Sequence, residues 1–123
     1  MIHHETNFGE EGRLKEMHRY QFPDGVVVDP TPITAGEEIT VLYNGLLSMS
    51  GADQVYLHVG YGDAREWRGV SDVRMSKTGW GWVKNIEMPE DRRFNFCFKD
   101  SAENWDNNSG VNWSFEIHNG NRR

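Results

Sequence analysis

From Gly25 onward the chain reads as short runs of alternating apolar and polar residues, separated by Gly, Pro, Asn and Asp. Successive side chains on a strand point to opposite faces of a sheet, so this period of two predicts half-buried strands rather than helices. The candidate strands are Val26 to Val28, Ile39 to Tyr43, Gln54 to Val59, Val70 to Arg74, Trp80 to Glu87, Arg92 to Lys99 and Val111 to Ile117. About seven short strands divided by turn residues predict an all-β sandwich of two packed sheets. Pro30 and Pro32 remove ladder donors and favour an edge or linker, while Asn44-Gly45 and Asn119-Gly120 are turn formers.

The same alternation assigns faces. Phe94, Phe96 and Phe98 share one face, Trp113, Phe115 and Ile117 a second, and Val55, Leu57 and Val59 a third; together they form the predicted core. Tyr56 and His58 must then point outward as a pair. Residues 1–24 break the pattern: they hold few large apolar side chains, and the charged stretch from Glu10 to Arg19 supports at most a short, weak helix. The expected organisation is therefore a flexible or loosely docked extension over 1–24, followed by a β-sandwich over 25–120.

Composition narrows the partners. At 123 residues one domain is expected, and although only 37% of residues are hydrophobic, five Trp, six Phe and four Tyr concentrate apolar area in a few large rings. A net charge of −6 with mixed signs argues against a nucleic-acid surface and against anionic lipid, so neither nucleic acid nor membrane is an expected partner. No apolar run is long enough to span a bilayer, and the N-terminus lacks the pattern of an export signal. As written the chain is expected in the cytoplasm, or outside the cell if it is excised from a larger secreted protein. Its one cysteine, Cys97, suits a reducing compartment and reads as a packed thiol.

Chemistry concentrates in the polar loop from Lys99 to Gly110, where a single large ring, Trp105, stands among Asn104, Asp106, Asn107 and Asn108. Such a ring is either an anchor buried beneath the loop or a binding platform. The neighbouring amides and carboxylate can bond paired hydroxyls as donors and acceptors, and a flat aromatic covers the apolar face of a pyranose, so a sugar fits the combination. Trp67, flanked by charged residues, is a second candidate ring or else an edge-strand Trp packed on the sheet. His58 is a third contact or an ordinary surface residue.

The ordered series Ile39 to Asn44, Val55 to Gly60, Trp67, Met75, Gly79-Trp80, Phe94 to Asp100 and Trp105 to Trp113 resembles the starch-binding carbohydrate-binding modules of families 25 and 53, over roughly residues 30 to 117. The resemblance implies an immunoglobulin-like antiparallel β-sandwich that binds α-1,4-glucan (starch, glycogen or maltooligosaccharide) without catalysis and needs no cofactor. It further implies contacts from His58, Trp67 and Trp105, with polar help from Asp106, Asn107 and Asn108, and association with a glucan-active enzyme. The alternative is a structural or regulatory protein-interaction sandwich in which the exposed Trp rings meet another chain. Three weaker readings are a metal on His3, His4 and His18, a calcium ion on Asp100, Glu103 and Asp106, and a hydrolytic carboxyl pair of Glu66 and Asp106.

Overall fold

Ten strands and two short helices make up the computed structural model, which describes residues 12–19 and 24–119. The expected strands are all present, as β1 (Val26–Asp29), β3 (Glu38–Tyr43), β4 (Val55–Tyr61), β5 (Arg68–Arg74), β7 (Gly81–Glu87), β8 (Arg93–Asp100) and β10 (Trp113–His118). Three shorter ones join them: β2 (Ile33–Thr34), β6 (Ser76–Thr78) and β9 (Trp105–Asp106). Residues 12–18 form helix α1, and Leu46–Met49 form α2, so the turn at Asn44-Gly45 leads into a short helix. His3, His4, Gly120 and most of the 1–24 extension lie outside the described residues.

The strands form a β-sandwich. One sheet has the order β1-β3-β7-β6; the other has the order β2-β10-β8-β4-β5, with β9 added beside β8. Pairing is antiparallel except between β2 and β10. Between the sheets lies one core. Phe94, Phe96 and Phe98 are fully buried, as are Val55 and Leu57, with Val59, Trp113 and Ile117 nearly so. Phe115 is half-buried and packs against the edge of this group. The rings stack in sequence: Tyr43 on Phe98 at 3.9 Å, Phe94 on Phe96 at 4.8 Å, and Phe96 on Trp113 at 5.8 Å between centroids. Aromatic residues thus supply the apolar area that a low hydrophobic fraction would otherwise leave short.

The two sheets differ on their outer faces. On the first, Val27, Leu42 and Val83 are direct cross-strand partners, and α1 covers them with Leu14 and Met17, which are spaced three apart and so lie on one helical face. Arg13 fastens this helix to β1 through Asp29, at 3.0 Å. On the second sheet no helix intervenes among the described residues. Its edge strand β5 is exposed and charged, which protects the edge from pairing with another chain. Among the described residues the outer face of β4 and β8 therefore stays uncovered.

Phe96 touches ring neighbours on both sides at the centre of the core. Replacing Phe96 by Ala is expected to cost about 3–5 kcal/mol of stability, read as a lower urea midpoint with an unchanged slope.

Candidate functional site

The site follows from strand register. His58 on β4 lies opposite Asp72 on β5 and opposite Cys97 on β8, while Lys99 on β8 lies opposite Tyr56 on β4 and Trp105 on β9. Directly paired residues project to the same face, so Asp72, His58, Cys97, Lys99 and Trp105 all rise from the outer face of the second sheet. Phe94, Phe96 and Phe98, one residue out of phase, go into the core.

Three rings meet there. The His58 imidazole stands 5.1 Å from the Trp105 ring at 88°, and 5.8 Å from Trp67 at a tilt of 39°. His58 thus sits between the two indoles. Trp105 is 43% exposed. Trp67 is half-buried and lies across the backbone at Gly60, where an added Cβ would come within 2.6 Å of the Trp67 Cβ and 2.7 Å of its ring. Its indole N–H donates to the Ala64 carbonyl at 2.8 Å, which fixes the ring plane. The rings border an open cleft of about 420 Å³ whose floor is Cys97 and whose rim carries Arg65, Val70, Asn107 and Asn112.

The polar loop divides its residues between two tasks. Trp105 and Asp106 form β9, and alternation sends Trp105 outward and Asp106 inward. The Asp106 carboxylate accepts the Tyr43 hydroxyl at 2.6 Å, and the Tyr43 oxygen accepts the Leu47 amide at 2.9 Å, a chain that ties loop, core and α2 together. Asp106 anchors the loop, which leaves Trp105 its exposed position. Asn108 donates its side-chain amide to the Asn112 carbonyl at 3.0 Å. Both Asn108 and Asn112 have left-handed backbones, with φ of 57° and 58°, a conformation that asparagine tolerates better than most residues. Asp100 closes the loop's other end by accepting the Ala102 and Asn104 backbone amides and the Asn104 side-chain amide, and these bonds hold its carboxyl below the ordinary range.

Of the residues singled out in the sequence, the structure gathers His58, Trp67, Trp105 and Asn107 at the cleft, and it commits the side chains of Asp106 and Asn108 to the loop itself. Asn107 accepts the Gly110 amide at its side-chain oxygen, and its Nδ2 makes no hydrogen bond to the described residues. Asn112, Arg65 and Val70 line the cleft without having been expected there. Their only sequence signal is nearness to the Trp residues. His18 packs on Trp80 at 5.4 Å, on the opposite sheet. Among the described residues no three His, Cys, Asp or Glu side chains converge as a metal set.

Electrostatics reinforce the geometry. Burial pushes the Asp72 carboxyl up, but hydrogen bonds from His58 and Lys99 outweigh that effect and hold it below its ordinary 3.8. The same pairing with Asp72 raises Lys99. Burial, with a smaller contribution from Asp106 and Asp72, pushes the Cys97 thiol from 9.0 up to about 11. Burial, followed by the bond to Asp106, raises the Tyr43 hydroxyl strongly.

Residues 39–96 match the model of the starch/carbohydrate-binding module, family 53. The matched span runs from β3 into β8 and contains His58, Trp67, Gly60 and Asp72; the loop of Trp105 follows it. No curated protein and no solved structure matches the chain. The family is one of binding modules, and carbohydrate is the ligand class that its description gives.

Two outcomes are expected from the protein's buried polar groups. Tyr43→Phe removes a hydroxyl that is fully buried and leaves the Leu47 amide and the Asp106 carboxylate short of a partner, a loss of about 1–3 kcal/mol measurable by urea unfolding. Cys97 titrates higher in the folded than in the unfolded chain, so its contribution to stability is complete below pH 9 and is withdrawn as pH rises towards about 11. At about pH 8 its folded thiolate fraction is on the order of a hundredfold below that of a free cysteine, and modification by iodoacetamide should be slowed at least that much until denaturant is added.

Proposed function

We propose that this chain binds α-1,4-glucan, as starch, glycogen or maltooligosaccharide, without catalysing any change in it. The observation that carries the reading is the convergence of Trp67, His58 and Trp105 on one open cleft, with the Asn107 Nδ2 and the Asn112 side-chain amide, unbonded among the described residues, at its rim. The C–H faces of successive glucose units stack on the two indoles. Because the rings are mutually tilted, they follow a curved chain better than a flat one. His58 and the two amides then bond the hydroxyls between them. The match to a starch/carbohydrate-binding family over 39–96 supports the same ligand.

A non-catalytic role is further supported by Asp106. A glycosidase needs two carboxyl groups facing each other across the scissile bond. Asp106, the partner considered for Glu66, has its carboxylate bound to the Tyr43 hydroxyl inside the fold. It serves the scaffold instead.

Each stacked ring and each net hydrogen bond contributes roughly 1 kcal/mol, and association costs several kcal/mol, so a single cleft has a Kd between roughly micromolar and millimolar. Such affinity suits a polymer that repeats the same unit, and a module held beside a glucan-active enzyme would concentrate that enzyme on its substrate.

Electrophoresis through a native gel containing amylopectin or glycogen tests the reading. The protein should be retarded relative to a gel without polysaccharide, and Trp105→Ala should weaken the apparent Kd roughly tenfold. Equal migration in both gels would reject the glucan ligand and turn attention to a protein partner for the exposed rings.

A further inference from the structure

Asp72 does not line the cleft, yet each of its carboxylate oxygens holds a residue that borders or supports it. Oδ1 pairs with His58 Nδ1 at 2.5 Å, and Oδ2 pairs with Lys99 Nζ at 3.0 Å. Lys99 Nζ in turn lies 5.3 Å from the Trp105 ring centroid, in cation–π range, and Trp105 meets the His58 imidazole edge-on. The contacts close into a ring of Asp72, His58, Trp105 and Lys99. Strand register creates this ring, because the four side chains rise from neighbouring rows of one face.

The chemical consequence lies at the imidazole. A carboxylate at Nδ1 requires the neutral ring to carry its proton there, which leaves Nε2 as a hydrogen-bond acceptor. Nε2 has no partner among the described residues. The ring is then both oriented and fixed as a single tautomer before any ligand arrives. As a surface ion pair the cluster adds little stability, so its value lies in placing groups rather than in holding the fold.

We propose that Asp72 is a positioning residue that fixes His58 as its Nδ1–H tautomer and steadies Trp105 through Lys99, so that one carboxylate orders both sides of the cleft. Its effect on affinity rests on the glucan reading of the cleft; its effect on the imidazole does not.

The test uses the full chain labelled with ¹⁵N, with the His58 ring nitrogens read by long-range proton–nitrogen spectra at about pH 8. Maltoheptaose binding is measured in parallel by titration calorimetry. The wild type should show a protonated Nδ1 and a bare Nε2. Asp72→Ala should lose that preference and raise Kd about tenfold, while its melting temperature stays within about 4 °C of the wild type. Asp72→Asn keeps an acceptor for the Nδ1 proton but releases Lys99, and Lys99→Met removes only the cation. Both should retain the tautomer and bind with intermediate affinity. They also stand in for Asp72→Ala if it does not fold, in which case wild-type affinity in both would overturn the proposal. An unchanged tautomer in folded Asp72→Ala, or wild-type affinity in that variant, would overturn it too. If the wild type gives no heat with maltoheptaose, the glucan reading fails, and the imidazole spectrum alone decides the role of Asp72: loss of the Nδ1 proton in Asp72→Ala supports it, and retention overturns it.

Discussion

Strand β8 is paired along both edges, and its phase decides which side chains enter the core and which face the cleft. Phe94, Phe96 and Phe98 are driven inward by the area they remove from water, and that commitment leaves Cys97 and Lys99 on the opposite face. Since β4 and β9 pair with β8 in fixed register, His58 and Trp105 have no independent choice of side. A slip of one residue would bury the imidazole and expose the phenyl rings, at a cost that the aromatic core makes prohibitive. The geometry of the cleft is thus inherited from the packing beneath it.

Much of this order was legible because the signal is periodic. Alternation in Val55 to Val59 and Phe94 to Phe98 places the core and turns His58 outward without any knowledge of the partner strands. The parts that were not legible depend on register or on very short elements. Asp72 and Lys99 become neighbours only once β5, β4 and β8 are aligned, and nothing local in the sequence states that alignment. In the loop, Asp106 looks as polar as Asn107, yet the two-residue strand β9 turns Asp106 towards Tyr43. The Asn-rich composition also mixes two causes, cleft-facing amides and left-handed backbone, and composition cannot separate them. The stretch Glu10 to Arg19 was expected to form at most a short, weak helix in a flexible or loosely docked extension; the docking of helix 12–18 through Leu14 and Met17 required the apolar row on β1, β3 and β7 to be known.

The two outer faces of the sandwich have opposite characters. Helix α1 shields an apolar row on one sheet, so that face is occupied by the chain itself. The other sheet presents polar groups and ring edges above a nearly inaccessible thiol. The protein keeps its aromatic cleft rigid by bonding the loop inward through Asp106 and the imidazole sideways through Asp72. For the proposed glucan ligand, groups ordered in advance would lower the entropy lost on association.

Gly60 shows how little separates this surface from a different one. The Trp67 indole rests directly on bare backbone, at a height that leaves no room for even a methyl group beneath it. The level and slope of that ring are therefore set by a hydrogen atom two positions along the strand from His58. The curvature of the cleft is encoded less by the rings that border it than by the side chain that is missing under one of them.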